Sequence, residues 1–283
     1  MGRILFLVTE GERAHNDNHL RLPAAFRDAG WETFVHGHDT LQLRGGTVLA
    51  AGRPVADHDL VWVLGLGRAA TFFDRMQLLR RVPQDRFVTR VDALIYLHAK
   101  YAWSERMPET HADNDPDRLF DIGAGGGDGV AKPTAGSFGR DVQRVCADPA
   151  GHAALVRLTG GPERRYCLLQ RYVPEIESGE KRTLIAGERI LGTYLRLPGA
   201  DFRANLSRAG RAEPAVLTVA ESRQVAAVHR EVRAAGIGFA AIDIAGPYLM
   251  EVNLANPGGL GTLEALYGED PAPRVVAAFA RRR

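Results

Sequence analysis

Hydrophobic and polar positions change period along this chain, and the changes mark its elements. "RILFLVTEG" is an apolar run closed by a loop, the pattern of a buried strand. "LRLPAAFRDAGWETFVHG" carries helical spacing to a stop at Gly30, then a second strand about Thr33 to His36. "DLVWVLG" predicts a third strand, and "AATFFDRMQLLRRV" a helix with one apolar stripe. Strand alternating with helix predicts a parallel sheet in a first lobe, residues 1–88. "DALIYLHAKYAW" predicts a helix with Lys100 near its end. "PETHADNDPDRLFDIGAGGGDG", rich in Asp, Pro and Gly, reads as a short element and an exposed loop. "VAKPT", "VQRVCA" and "YCLLQRYVP" read as strands, with a helix at "GHAALVRLT" between them. They make a small α+β lobe within residues 89–172. The last part, 173–283, opens with the hairpin "KRTLIAGERILGTYLRLP". An amphipathic helix then runs from Val219 to a stop at Gly236. A second hairpin turns at Gly246–Pro247, and two closing helices follow.

That second hairpin raises a chemical question. In "AAIDIAGPYLMEVNLANPGGLG", Asp243 precedes Glu251 by eight residues across a tight turn. Strand alternation puts Asp243, Glu251 and Asn253 on one face and Ile242, Ile244, Met250 and Val252 on the other. One reading is three polar residues on a solvated sheet. Yet like charges set opposite each other are unfavourable without a cation between them. Two carboxylates and an amide suit a hard ion such as Mg²⁺, which is commonly held by one or two carboxylates plus substrate phosphates.

Cations that could reach the same phosphates lie elsewhere. "VAKPTAGSFG" places Lys132 at a strand end, before a turn containing Gly136, Ser137 and Gly139. Backbone N–H groups of such a turn can hold phosphate oxygens. The order of a P-loop is absent. Lys100 is a second candidate, 32 residues earlier. Arg182, Arg203 and Asn205 belong to the last lobe. "ADFRANLSRAG" has neither helix nor strand pattern and reads as a mobile loop able to cover phosphates. For each of these residues, a solvated surface position is the competing reading.

Composition narrows the setting. The 283 residues carry 36 basic and 34 acidic side chains, a net charge of +2, so global charge argues for neither a nucleic-acid nor a membrane partner. No apolar run approaches a membrane span, and "ILFLV" is too short for the core of a signal peptide. Cys146 and Cys167 form no disulfide framework, which points to a reduced, cytoplasmic protein.

Taken in order, "HAKYAW" with "MPET", "VAKPTAGSFG", "LLQRYVPEIESGEKR", "RANLSRAGR" and "AAIDIAGPYLMEVNLANP" resemble the ATP-grasp superfamily, most closely its bacterial glutathione synthetase branch. The resemblance covers roughly residues 85–270. It implies a three-lobed architecture of α/β and α+β class, with an N-terminal parallel-sheet lobe and two α+β lobes enclosing ATP. It implies that Lys100 and Lys132 hold phosphates, that the linker Gln170, Arg171, Tyr172 and Val173 meets adenine, and that Glu180 serves the ribose. Asp243, Glu251 and Asn253 would carry Mg²⁺. Arg182, Arg203 and Asn205 would meet the γ-phosphate or an acyl phosphate. The implied reaction joins a carboxylate to an amine at the expense of ATP, in a homo-oligomer acting on amino-acid or peptide substrates.

Two departures argue for a different substrate pair. The family's Ser-Pro-Thr-Cys-Ile-Arg type segment is replaced here by "LANPGGLG", which removes an arginine and leaves Gly258, Gly259 and Gly261 to open the site. The first loop, "GERAHNDNHLR", lacks the usual substrate segment; His15, Asn16, Asp17, Asn18 and His19 could line an acceptor pocket. Two other readings compete. "VWVLGLGRAATFFD" contains Gly65, Gly67 and Ala70 between strand and helix, the context of an NAD-binding Rossmann-type enzyme. A catalytically silent ATP-binding protein of the same fold is the third.

Overall fold

The computed structural model describes residues 1–9, 16–134, 141–199 and 210–280. The chain opens with β1 (Arg3–Val8), whose central residues Ile4 to Leu7 are fully buried. α1 (Asn18–Asp28) and β2 (Glu32–Gly37) follow. A small antiparallel sheet of β3 (Leu41–Arg44), β4 (Thr47–Ala50) and β5 (Arg53–Pro54) comes next, an addition to the predicted elements. β6 (Leu60–Leu64) and α2 (Phe72–Leu79) complete the region. β2, β1 and β6 form the expected parallel sheet, with β1 in the middle.

α3 (Val91–Tyr96) is shorter than the sequence pattern predicts. Lys100 does not end this helix; it begins a stretch of 3₁₀ turns, Lys100–Arg106. The reason is tertiary: the Lys100 amide donates to the Thr134 carbonyl at 3.0 Å, outside any helix. After β7 (Thr110–Asp113), the Gly-rich segment expected as a loop is helix α4 (Pro116–Gly126). Asp115 caps it by accepting from the Asp117 and Arg118 amides, and Pro116 fits the first turn. Leu119 is buried beneath it. Gly123 packs so close to Leu169 that a Cβ there would meet its Cδ2 at 3.3 Å, so a residue that weakens helices here permits close packing.

β8 (Gly129–Pro133), β9 (Gln143–Val145), α5 (Pro149–Thr159) and β10 (Cys167–Arg171) complete this lobe. Its antiparallel sheet runs β7-β10-β8-β9. The last region holds β11 (Glu180–Ala186), β12 (Arg189–Leu197), β13 (Arg211–Pro214), α6 (Val219–Ala234), β14 (Phe239–Ala245), β15 (Tyr248–Asn253), α7 (Leu260–Tyr267) and α8 (Ala272–Phe279). Its sheet order is β13-β12-β11-β14-β15, all antiparallel. α6 starts at Val219 as predicted, fixed by a capping box between Thr218 and Glu221.

The cores do not follow the chain's linear divisions. One face of the first sheet packs Ile4, Phe6 and Trp62 with Phe26 of α1 and with Phe239 and Phe279 from the far end of the chain. Trp62 lies 5.3 Å from Phe239 and 5.5 Å from Phe279, ring centre to ring centre. The other face packs Leu5, Val61 and Val63 into a cluster that includes Val225 and Val228 of α6 and Ile242 and Ile244 of β14. The small lobe keeps its own core, built from Leu119, Ala131, Val145, Ala154, Leu155, Cys167 and Leu169. No helix among the described residues is long and apolar enough to cross a membrane.

Candidate functional site

Strand register assembles the site. Asp243 on β14 is directly opposite Glu251 on β15, and Ala241 is opposite Asn253. The three polar residues therefore share one face, as expected, by way of a register shift between Asp243 and Ile244. Asp243 is fully buried. It faces Arg182 of β11 across the adjoining ladder, and Glu180 of β11 faces Arg196 of β12.

The charges on this face are closely matched. Arg182 grips Asp243 with a fork: Nε donates to Oδ1 at 2.8 Å and Nη2 to Oδ2 at 2.6 Å. Its Nη1 donates to the Gly258 carbonyl at 3.2 Å. Arg196 reaches over β11, and its Nη2 donates to Asp243 Oδ2 at 2.7 Å and also to Glu180 Oε1. Burial pushes the Asp243 carboxyl up, but the two guanidiniums outweigh it and hold the group below the ordinary aspartate range. Burial raises Glu180 above the usual glutamate range, against the pull of Arg196.

The two lysines come from the small lobe and the segment before it. Lys100 Nζ pairs with Glu251 Oε1. Partial burial pushes the Glu251 carboxyl up, and Lys100 more than compensates, leaving it below its usual range. Lys132 lies opposite Leu168, next to Gln170 on the face turned away from the lobe's own core. Its Nζ donates to Gln170 Oε1 at 2.8 Å, and Gln170 donates in turn to Thr110 Oγ1 at 2.8 Å. Burial, reinforced by Lys100, lowers the Lys132 ammonium to about 8. The linker leaves β10 with the Arg171 amide on the Glu109 carbonyl and the Tyr172 amide on that of Asp128, and Val173 is buried. Arg171 extends to the Tyr248 hydroxyl on β15 at 3.0 Å.

Of the glycines after Asn253, Gly259 does not open space; it allows contact. Gly259 has φ +134°, and a Cβ there would come within 2.7 Å of the Tyr194 hydroxyl and 2.9 Å of Leu184 Cδ1. The first loop docks onto the same turn. Asn18 Nδ2 donates to Asn256 Oδ1 at 3.0 Å and to the Pro257 carbonyl at 2.9 Å, and Asn16 Nδ2 donates to the Asn256 carbonyl at 2.9 Å. Two side chains expected to line a pocket thus fasten the start of α1 to the turn after β15. Arg196, Tyr194 and this polar clasp are absent from the sequence reading. Gly136, Ser137, Gly139, Arg203, Asn205 and His15 lie outside the described residues.

The turn behind the dinucleotide-binding alternative is filled by protein. The Gly65 amide donates to the Ala255 carbonyl at 3.0 Å and the Gly67 amide to Thr9 Oγ1 at 3.1 Å. Arg75 donates to the Leu66 and Arg68 carbonyls at 2.6 and 2.9 Å. The helix α2 starts only at Phe72, and a 3₁₀ turn, Ala69–Thr71, stands between it and the glycines. A pyrophosphate cradle needs those amides free and a helix start beside them.

The donor set fits a hard divalent ion: two carboxylates on facing residues and an amide two positions further, all oxygen donors. Among the described residues no three His, Cys, Asp or Glu converge as a closed metal cage.

A family model described as prokaryotic glutathione synthetase, ATP-grasp domain, matches residues 97–268. A glutathione synthetase of Prochlorococcus marinus subsp. pastoris is 32% identical over 150 residues, covering 53% of this chain and 49% of that protein. The chain thus matches about half the length of that relative. A glutathione synthetase of Brucella melitensis biotype 1 is 26% identical over 293 residues, covering 94% of each chain. Among solved structures, the D-cycloserine synthetase DcsG superposes with a TM-score of 0.71 at 19% identity, covering 99% of both chains.

Proposed function

The chain belongs to the prokaryotic glutathione synthetase ATP-grasp family, and from that premise we propose that it is an ATP-dependent carboxylate–amine ligase. One observation carries the reading: Asp243 and Glu251 face each other while Lys100 reaches Glu251 and Lys132 lies buried beside Gln170. Phosphoryl transfer needs positioned cations and a dry site more than a covalent nucleophile, and these residues supply the cations.

In this reading Asp243, Glu251 and Asn253 hold Mg²⁺. When bound, the ion offsets the negative charge gathering on the transferred phosphoryl group. Lys100 and Lys132 hold ATP phosphates, with Gly136, Ser137 and Gly139 as candidate backbone donors. The linker Gln170–Val173 meets adenine. Glu180, assigned to the ribose by resemblance, is engaged with Arg196, so its ribose role requires that pair to loosen. Arg182, Arg203 and Asn205 are assigned to the phosphoryl group and the acyl phosphate by resemblance. The substrate carboxylate attacks the γ-phosphorus and ADP leaves. The amine then adds to the acyl carbon and phosphate departs, leaving an amide bond.

The substrates are an amino-acid or peptide pair other than γ-glutamylcysteine and glycine. The "LANPGGLG" segment lacks the family's arginine, and Asn16 and Asn18 are tied to Asn256 within it. The protein is assigned to the cytoplasm on its two cysteines, neither in a disulfide. Homo-oligomeric assembly rests on the family resemblance, and the near-neutral charge favours neither nucleic acid nor membrane.

The test is mass spectrometry of Mg²⁺–ATP reactions over a library of amino acids and peptides. The expected result is ADP, phosphate and one condensed product, absent in Glu251→Gln. Failure of the wild-type protein to bind Mg²⁺–ATP, or to form ADP with any pair, would falsify the reading.

A further inference from the structure

We propose that Arg196 is the internal counter-ion of the metal-binding carboxylate, and that a divalent cation loads by driving Arg196 off Asp243 onto Glu180. The inference rests on the ligase reading for the identity of the metal ligands. Its ground is the unequal hold of two arginines on one buried oxygen. Asp243 Oδ2 accepts from both Arg182 Nη2 at 2.6 Å and Arg196 Nη2 at 2.7 Å. Arg182 is the fixed partner. It lies directly across the ladder, makes a two-pronged fork and is tied to the Gly258 carbonyl.

Arg196 is the loose one. It reaches Asp243 through one nitrogen, diagonally across an intervening strand. That same nitrogen already serves Glu180, its true cross-strand neighbour. Its Nε is buried without a hydrogen-bond partner among the described residues. A buried donor left unsatisfied is unfavourable, so this guanidinium is not held in its best arrangement.

Charge matching gives the consequence. Two guanidiniums meet two carboxylates on this face, and Lys100 meets Glu251 beside them. A divalent ion arriving at Asp243 meets a carboxylate whose charge is already answered. It must displace a cation, and Glu180 is placed to keep the displaced one paired. Arg196 is thus a positioning residue that sets how strongly Asp243 competes for metal.

The experiment measures Mn²⁺ binding to the full-length protein by electron paramagnetic resonance, with and without a non-hydrolysable ATP analogue. Arg196→Gln is expected to tighten nucleotide-free Mn²⁺ binding about tenfold, because a unit positive charge near the ion is removed. Arg196→Lys, which keeps the charge, is expected to stay near the wild type. Glu180→Gln leaves Arg196 to Asp243 alone and is expected to weaken Mn²⁺ binding. Thermal unfolding with and without Mn²⁺ reads the same order, the gain on metal addition being largest for Arg196→Gln. A purely structural arginine would leave Mn²⁺ affinity unchanged or lower it in both Arg196 variants, and that outcome overturns the inference. If Arg196→Gln does not fold, the sign in Glu180→Gln decides. Should the wild type bind neither Mn²⁺ nor nucleotide, the ligase reading fails as well; binding of both with the wrong order of variants removes only the counter-ion role.

Discussion

Lys132 carries the most unusual proton at the residue scale. Burial holds its folded-state value near 8, against an ordinary 10.5. Between those values the unfolded chain keeps the proton and the folded chain does not. Stability therefore rises with pH across that window, so far as this group contributes. A nucleotide phosphate favours the ammonium form, so binding slightly above pH 8 should take up a proton and weaken as pH rises further. Calorimetric titrations in buffers of different ionisation enthalpy measure that uptake, which should vanish in Lys132→Met. Its persistence there would point to another group. Removing Glu251 should cost more than removing either lysine: Glu251→Gln is expected to lower kcat at least about a hundredfold, read as ADP release. The acidic pair was legible because two polar residues at strand spacing stand out in an apolar hairpin. Arg196 was not. Along a regular hairpin Glu180 would face Leu195, but a register shift between Leu184 and Ile185 moves it opposite Arg196. One added residue turns a whole strand face over. A similar shift after Asp243 brings Glu251 opposite it, with Met250 taking up the extra residue.

At the scale of elements, glycine misled in both directions. The run at 123–127 reads as a loop, yet its first four residues are helix, because a capped start at Asp115 and the buried Leu119 outweigh the propensity cost. Gly125 has open space where a Cβ would go. Gly125→Ala is expected to stabilise the protein by about 0.5–1 kcal/mol, measured by urea unfolding. The glycines after Asn253 read as an opening, but Gly259 is where backbone meets Tyr194 and Leu184. Gly259→Ala is expected to destabilise by about 1–3 kcal/mol in the same measurement, combining a strained φ with a steric collision. The helix predicted through Lys100 stops early because the partner of that amide, Thr134, is 34 residues away. Local periodicity contains no information about such a partner.

For the whole molecule, alternation of strand and helix correctly indicated a parallel sheet at the start, and the motif order indicated the ATP-grasp fold. What periodicity could not indicate is which apolar faces share a core. The small lobe closes its own around Leu155 and Leu169. Leu155→Ala is expected to cost about 2–5 kcal/mol. Hydrogen exchange should show the loss of protection concentrated in residues 110–171, the span of that sheet. Loss of protection spread evenly into the first sheet would contradict a separate core.

The aromatic contacts of Trp62 have a practical consequence. The stretch that the family model matches, 97–268, excludes Trp62, Phe6, Phe26 and Phe279 while keeping Phe239. A gene fragment cut at those limits would leave β14 with an oily flank and nothing to cover it. We expect such a fragment to aggregate or to bind a dye that reports exposed apolar surface, where the intact polypeptide does neither. Folding alone would then ask for more of the chain than the ATP-grasp segment.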